Sequence, residues 1–266
     1  MKNTLTRIAS LALVGISVIL SGCGGGGSDS NSGGGGGLSN NACESLGLQP
    51  RIVNGTECTT TNSPVVKISI LFNDGSGASC SGTMLTQTHV LSAGHCFPPE
   101  VRSAFITANG RTIDGVRYFR HPGYSATSQA LFKDVAILQL GANADLPTVP
   151  LLVSTSAASG DTIKIFGFGL DEDGQAGVLK SGEMRINDVT TNHLITSFNG
   201  DGSNTCSGDS GGPALLNGRN GLGIVGITSS GFLTECGTGD TSLFANTQSA
   251  EYLQFIRDTV PQAAVL

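Results

Sequence analysis

Three residues of the sequence carry side chains that could act together in nucleophilic catalysis. A serine hydroxyl is a weak nucleophile and needs a neighbouring base to take its proton. Histidine is the side chain that serves as this base near neutral pH, and a carboxylate on its second ring nitrogen fixes the tautomer and stabilises the imidazolium. His95, Asp134 and Ser210 supply these groups in the order histidine, aspartate, serine. We therefore expect His95 to act as base and then acid, Asp134 to orient it, and Ser210 to attack.

The residues around these groups indicate the elements that must hold them. His95 stands in the segment Ser-Ala-Gly-His-Cys, and Asp134 precedes the apolar run 136–140. Ser210 lies in the glycine-rich run Cys-Ser-Gly-Asp-Ser-Gly-Gly-Pro. Because glycine lets the backbone approach a substrate closely, the N–H groups of Gly208 and Ser210 are expected to form an oxyanion hole.

The texture of the chain after Pro50 predicts an all-β body. Short apolar segments alternate with Gly, Asn, Asp, Ser and Thr, a pattern typical of sandwiches and barrels. The clearest predicted strands are 65–72, 136–140, 162–166 and 223–228. The segment 251–257 spaces its apolar residues for a helix that ends before Pro261.

Taken together, the three motifs around His95, Asp134 and Ser210 resemble those of the trypsin/chymotrypsin-like serine proteases. The segment Arg-Ile-Val-Asn-Gly at 51–55 also resembles the activation site of that family. The resemblance covers residues 51 to about 260. It implies two packed six-stranded antiparallel β-barrels with a C-terminal helix, and the active site between them. It also implies a serine endopeptidase that acts on protein or peptide substrates and needs no cofactor.

The resemblance further implies that the chain is made as a zymogen. An activating trypsin-like protease would cut between Arg51 and Ile52, and the new ammonium group of Ile52 would pair with Asp209. An alternative is a catalytically inactive homologue that acts as a surface-anchored binding protein. The presence of His95, Asp134, Asp209 and Ser210 favours the enzyme.

Substrate specificity is expected to depend on a pocket in which this chain departs from trypsin-like members of the family. The position where those members carry an aspartate is Asn204, followed by Thr205, and Ser242 is expected at the rear of the pocket, near Asp240. An uncharged amide does not neutralise a buried Arg or Lys. We therefore expect an uncharged residue on the acyl side of the cut, in which case the chain does not activate itself.

The substrate backbone is expected to dock as an added strand on Ser229, Ser230 and Gly231. Ser230 stands where the family usually carries tryptophan. The stretch from Phe97 to Tyr124 holds no pair of glutamates, which calcium-binding relatives use as ligands, so we predict no metal requirement.

The N-terminal fifty residues differ in character from the body. Residues 1–22 carry two cations followed by a short apolar run, typical of an export signal. The signal ends at Cys23 and resembles a bacterial lipoprotein signal, which implies lipidation of Cys23 and localisation in the bacterial cell envelope. Residues 23–42 form a glycine- and serine-rich linker, 43–51 a propeptide, and 52–266 the protease domain.

The number of cysteines, seven, is consistent with this division of the chain into a signal, a linker, a propeptide and a protease domain. With Cys23 lipidated, six remain, and six cysteines allow fifteen pairings. The family resemblance implies Cys80–Cys96 and Cys206–Cys236, and we expect the two that are left, Cys43 and Cys58, to pair with each other.

The charge of the chain argues against one class of partner. It carries 14 Lys and Arg against 20 Asp and Glu, a formal net charge of −6. Nucleic-acid binding needs clustered cations that neutralise phosphates, and the sequence has no such cluster. We therefore expect no nucleic-acid partner.

Overall fold

A computed structural model describes residues 42–47, 57–171, 174–200, 202–233 and 236–266. They belong to one compact unit, Leu38–Leu266. The predicted signal, the lipidation site Cys23 and the activation site at Arg51 and Ile52 lie outside the described residues. No helix in the described ranges has the length and apolar character needed to cross a bilayer.

The first half of the body is a closed antiparallel barrel of six strands in the order β1-β2-β3-β8-β5-β4. A small hairpin, β6 and β7, interrupts the chain between the fifth and sixth strands of this barrel. In chain order the strands are β1 Val65–Phe72, β2 Gly77–Thr86, β3 His89–Ser92, β4 Val101–Ala108, β5 Arg111–Arg120, β6 Ser125–Ala126, β7 Leu131–Phe132 and β8 Ala136–Leu140.

The second half forms another closed barrel, in the order β10-β11-β14-β13-β12-β9. Its strands are β9 Thr162–Gly167, β10 Lys180–Val189, β11 His193–Ser197, β12 Pro213–Gly218, β13 Gly221–Gly231 and β14 Thr241–Asn246. The helix α1, Ala250–Thr259, follows it. The predicted class, two six-stranded barrels with a C-terminal helix, is confirmed.

The two barrels share apolar packing. The larger core cluster fills the first barrel and continues through Phe166, Leu215 and Ile227 of the second barrel to Tyr252 and Ile256 of α1. Burying one side chain of this size contributes roughly 1.5–3 kcal/mol. The cluster therefore joins both barrels and the helix, and it fixes the walls of the groove between them.

Three disulfides join Cys43 to Cys58, Cys80 to Cys96 and Cys206 to Cys236, as expected from the sequence. The first bond fastens the short 3-10 turn Ala42–Leu46 to the body. Cys43 is 1% exposed and Cys58 is fully buried. The Oγ of Ser181, on β10, lies 3.3 Å from the Sγ of Cys43, so the turn packs against the second barrel.

Candidate active site

His95 and Asp134 meet because they follow and precede two neighbouring strands. His95 lies in a short 3-10 turn directly after β3, and Asp134 comes two residues before β8. These strands pair with Ser92 opposite Ala136. The side chain of Asp134 is fully buried, whereas that of His95 is 25% exposed.

The Asp134 carboxylate holds the imidazole at two points. Its Oδ1 accepts the backbone N–H of His95 at 2.7 Å, and its Oδ2 lies 2.8 Å from His95 Nδ1. An ionised carboxylate only accepts hydrogen bonds, so Nδ1 carries the proton in this pair. The other ring nitrogen, Nε2, is left as the acceptor.

The second barrel contributes to this pair through Ser229. The Oγ of Ser229 donates to Oδ2 of Asp134 at 2.6 Å, and Ser229 is 3% exposed. A buried carboxylate without donors would carry a large desolvation penalty, and three donors remove it here. Sequence reasoning assigned Ser229 only to substrate binding, because the spacing of 95 residues gives no sign of this contact.

The turn that presents Asp134 is held by α1. Lys133 has a φ of +51°, a conformation uncommon for residues other than glycine. Its N–H donates to the phenol oxygen of Tyr252 at 2.7 Å, and its Nζ pairs with Glu251 Oε1 at 2.6 Å. Burial raises the pKa of Tyr252 to about 12, and the hydrogen bond from Lys133 lowers the pKa of Glu251. No sequence motif indicated this contact.

Ser210 contacts the first barrel next to the segment that carries His95. Its carbonyl oxygen accepts the N–H of Ser81, on β2, at 2.8 Å. The same oxygen is 3.9 Å from the Sγ of Cys96, the residue after His95. The three residues expected to act together are thus gathered at the groove between the barrels: His95 and Asp134 from the first, Ser210 from the second.

The loop before Ser210 is held at each carbonyl from residue 207 to residue 210. The carbonyls of Ser207, Gly208, Asp209 and Ser210 accept, in that order, from Leu170 N, Ser81 Oγ, Gly212 N and Ser81 N at 2.9, 2.8, 2.8 and 2.8 Å. In the same loop, the N–H groups of Asp209 and Gly211 donate to Cys206 O and Thr228 O.

The N–H groups of Gly208 and Ser210 take no part in these bonds. Within the described residues, neither donates to a protein acceptor. Gly208 has a φ of +100°, and a Cβ at that position would stand 2.9 Å from the Cα of Gly169. Glycine is therefore required there, and the loop offers two fixed donors of the kind that stabilise an oxyanion.

Asp209 points away from Ser210, into the second barrel. Its Oδ1 accepts from Gly169 N at 2.8 Å and its Oδ2 from Cys206 N at 2.9 Å. A Cβ on Gly167 or Gly169 would collide with this carboxylate, which explains the Gly-Phe-Gly run there. Burial raises the pKa of Asp209, although the two backbone donors and Lys180 oppose the shift.

Two cavities adjoin this loop. One of about 560 Å³ is lined by Asp209, Lys180 and Asn204, among others. The other, of about 210 Å³, is bounded by Ser210 itself. Five residues expected to bind substrate or lie near the pocket line this second cavity: Thr205, Ser229, Ser230, Gly231 and Asp240. It therefore has the position of a specificity pocket beside the nucleophile.

Asn204 and Ser242, which were also expected at the pocket, do not line this second cavity but are hydrogen-bonded to residues that do. The Nδ2 of Asn204 donates to Cys236 O at 2.9 Å and to Asp240 Oδ2 at 3.0 Å. Ser242 Oγ donates to Asn204 Oδ1 at 2.9 Å and lies 2.9 Å from Thr205 Oγ1. Both N–H bonds of the Asn204 amide are thus used within the protein.

Asp240 is 1% exposed and its charge is met by backbone donors. Its Oδ1 accepts from the N–H groups of Phe232, Leu233 and Thr241 at 3.0, 2.9 and 2.8 Å. Phe232 and Leu233 themselves are 58% and 44% exposed at the rim of the pocket. Asp240 therefore holds an apolar rim in place, a role that the sequence did not reveal.

Comparison with known proteins identifies the family. A model of the family described as Trypsin matches residues 52–256, which is more than half of the chain. This chain belongs to the trypsin family.

Trypsins from vertebrates resemble this family member over most of their length. Trypsin-4 of Rattus norvegicus is 27% identical over 234 residues, covering 79% of this chain and 90% of the relative. Trypsin I-P1 of Gallus gallus is 29% identical over 206 residues, covering 68% and 79%. The solved structure of HL collagenase has a TM-score of 0.64 at 19% identity, covering 79% of this chain and 99% of that one. The last likeness shows that the fold is the same.

One cluster in this trypsin-family protein has the residue types of a metal site. Among the described residues, ligand atoms of Cys80, His95 and Cys96 lie within 4.8 Å of one another. Cys80 and Cys96 are joined in a disulfide, however, and metal binding by cysteine requires the thiolate. The donor set does not suit a metal, and His95 is engaged with Asp134.

Proposed function

We propose that this trypsin-family protein is an active serine endopeptidase that cleaves peptide bonds through an acyl-enzyme. The observation that carries the proposal is the arrangement at the groove. A buried carboxylate, Asp134, orients His95 near a loop in which the amides of Gly208 and Ser210 have no acceptor among the described residues. Fixed donors that have no partner in the described part of the protein are the groups that a developing oxyanion needs.

Each residue has a defined role in the proposed reaction. The Oγ of Ser210 attacks the peptide carbonyl while Nε2 of His95 takes its proton. The oxyanion that forms is bound by the N–H groups of Gly208 and Ser210, and Asp134 stabilises the imidazolium. His95 then gives its proton to the leaving amine, which departs and leaves the acyl-enzyme. Water, deprotonated by His95, releases the acid and regenerates the Ser210 hydroxyl.

Labelling with a fluorophosphonate probe tests this function directly. The chain should be labelled at Ser210, with Ser210→Ala as the unreactive variant and exposed Ser156→Ala as the matched control. Loss of the nucleophile should lower turnover of a peptide amide by about 10⁶-fold. Absence of both labelling and turnover in the cleaved chain would overturn the proposal and favour the inactive binding protein.

The chain is proposed to be a zymogen activated by a trypsin-like protease at Arg51. The free ammonium of Ile52 would enter the 560 Å³ cavity and pair with Asp209. A carboxylate whose pKa is raised by burial supports this, because a cationic partner removes the desolvation penalty that burial imposes. The pairing would fix the loop that carries Gly208 and Ser210.

The proposed preference on the acyl side of the cut is for an uncharged side chain. Asn204 takes the place of a charged residue, and both of its N–H bonds are used by Cys236 and Asp240. The charge of Asp240 is compensated by its own donors and is almost fully buried. A basic substrate side chain would have to compete with the Asn204 amide for Oδ2 of Asp240. A peptide library with all side chains at this position tests the preference, and strict cleavage after Arg or Lys contradicts it.

The protease is further proposed to be exported and anchored to the membrane of a bacterial envelope through lipid on Cys23. Two or more acyl chains provide stable anchoring. The linker would span on the order of 25 Å. The Cys43–Cys58 disulfide supports a tether that persists after cleavage at Arg51, since it joins the propeptide to the catalytic body. Mass spectrometry of the exported chain for a lipidated Cys23 tests the anchor.

A further inference from the structure

Ser81 is a fully buried residue on β2 of the first barrel whose polar groups all face other segments. Its N–H donates to Ser210 O and its Oγ donates to Gly208 O, both at 2.8 Å. The N–H of Phe168 donates to the same Oγ at 2.9 Å. The carbonyl of Ser81 accepts from Ser92 Oγ at 2.8 Å. One residue of the first barrel thus binds two segments of the second.

Along the loop, the two carbonyls that Ser81 binds, of Gly208 and Ser210, alternate with the N–H groups of the same two residues, which are expected to form the oxyanion hole. The peptide group between residues 208 and 209 is held by Ser81 Oγ at its oxygen and by Cys206 at its N–H. The peptide group between 210 and 211 is held by Ser81 N at its oxygen and by Thr228 at its N–H. The amide of Ser210 lies between these two fixed groups, and that of Gly208 directly precedes them.

The hydrogen bond from Phe168 N–H to the Ser81 hydroxyl also links Ser81 to the segment that carries Gly169. That segment binds Asp209 through Gly169 N and Ser207 through Leu170 N. The hydroxyl of Ser81 is therefore shared between the nucleophile loop and the segment that supports it. Ser81 is fixed in the β2 ladder opposite Lys67. Its hydroxyl can therefore bind both Gly208 O and Phe168 N–H only when the two barrels are docked in this arrangement.

We propose that the Ser81 hydroxyl is a positioning group for the oxyanion hole: it fixes the direction of the Gly208 and Ser210 amides from the opposite barrel. This inference rests on the proposed peptidase function. Without the hydroxyl, the Gly208 carbonyl and the Phe168 N–H lose a buried partner, and the peptide group between residues 208 and 209 keeps only the bond from Asp209 N–H to Cys206 O. Preorganised donors act only when they point at the place where charge develops.

The test compares Ser81→Ala with Ser63→Ala. Ser63 is also a buried serine, two residues before β1, but both bonds of its hydroxyl go to Val65. Both variants lose the same atom and should lose similar thermal stability. Only Ser81→Ala should lose turnover, by about 10- to 100-fold in kcat with KM within about twofold, for a peptide amide whose acylation is slow. Uncut and Arg51-cleaved forms of each chain are measured.

A peptide boronic acid of the preferred sequence supplies the second readout. It forms a tetrahedral adduct with Ser210 whose oxygen occupies the oxyanion hole. Its inhibition constant should rise in Ser81→Ala by the same factor as kcat/KM falls, and it should be unchanged in Ser63→Ala. If Ser81→Ala retains the kcat and boronate affinity of Ser63→Ala, the inference is wrong. If the unmutated chain is neither labelled by fluorophosphonate nor active, the proposed function fails and the inference fails with it.

Discussion

The phenol oxygen of Tyr252 accepts the backbone N–H of Lys133 at 2.7 Å, so the C-terminal helix holds the residue that presents Asp134. The two residues are 119 positions apart in the chain. Lys133 has a left-handed conformation that is costly for a residue with a side chain. The hydrogen bond from the turn to Tyr252 stabilises this conformation and, through it, the position of the buried carboxylate.

Tyr252→Phe should therefore lower activity from a distance. The ring remains, so the packing of this 1% exposed side chain is kept, while the partly buried N–H of Lys133 loses its acceptor. We expect the free energy of unfolding to fall by about 1–3 kcal/mol, and kcat to fall severalfold with KM unchanged. Steady-state kinetics and denaturant unfolding measure both. Glu251→Gln, which removes only the exposed ion pair with Lys133, is the control and should change little. Equal kcat in both variants would contradict the prediction.

The same phenol should leave a signature in alkaline stability. Burial raises the pKa of Tyr252 from 10.0 to about 12. The folded protein then keeps a proton that the unfolded chain has already lost, so the free energy of unfolding falls as pH rises between these two values. Urea unfolding at several pH values should show a shallower decline for Tyr252→Phe. Tyr118→Phe serves as the matched control, and an equal slope in all three proteins would refute the linkage.

Asn204→Asp should introduce cleavage after arginine and lysine. The new carboxylate would stand behind the pocket without the amide protons that now bind Cys236 and Asp240. Two nearby carboxylates, at 204 and 240, would favour a cationic substrate side chain. We expect kcat/KM for basic peptides to rise by at least about tenfold relative to uncharged ones. Asn217→Asp, on the exposed end of β12, adds the same charge elsewhere and should leave the preference unchanged. A purely tryptic wild type would count against the reasoning.

Activation at Arg51 should make activity sensitive to alkali. An α-amino group has a pKa near 8, and a carboxylate partner raises it. Activity of the cleaved chain should be lost reversibly as the Ile52 ammonium deprotonates, and a profile that stays flat to about pH 11 would exclude the ion pair.

In the uncut chain, the free energy of unfolding should depend on pH through Asp209. Burial raises the pKa of Asp209, so the folded chain holds its proton more tightly than the unfolded chain does. Its contribution to the free energy of unfolding falls as pH rises from the ordinary carboxyl range to the raised pKa. Cleavage at Arg51 should then raise Tm at neutral pH, on the order of 5 °C, and Asp209→Asn should abolish that rise. Differential scanning calorimetry of cut and uncut chains decides the matter.

The Cys43–Cys58 disulfide predicts how the cleaved protein runs on a gel. After cleavage at Arg51, the segment that contains Cys43 should stay with the body without reductant and separate when reductant is added. The double variant Cys43→Ser/Cys58→Ser should release the segment in both conditions. Release of a fragment ending at residue 51 from the unmutated chain without reductant would rule out the persistent tether.

The fold and the three central residues could be predicted from the sequence because their signals are local. The apolar strand runs, and the short motifs around His95 and Ser210, each lie within a few residues of one another. The two barrels, which the structure confirms, were implied by the family resemblance that these motifs carry, since the strand pattern alone is typical of sandwiches and barrels alike.

The supporting contacts could not be predicted, because they join residues that are far apart in the chain. Ser81 meets Gly208 at a separation of 127 residues, and Ser229 meets Asp134 at 95. Such pairs depend on how the barrels dock, and a serine or tyrosine in a strand or helix carries no pattern that reveals its partner. The hydrogen bond from Asn204 to Asp240 could not be predicted for the same reason, since it depends on the conformation of a loop between two strands.

The unengaged amides of Gly208 and Ser210 have a consequence for how this protein responds to what it binds. In the part of the chain that the structure describes, these donors have no protein acceptor, and a ligand that carries a negative oxygen supplies one. Compounds that mimic the tetrahedral intermediate should therefore raise the melting temperature as well as inhibit, with a rise that follows their dissociation constants. The melting temperature of the protein would then measure how fully a ligand occupies the oxyanion hole.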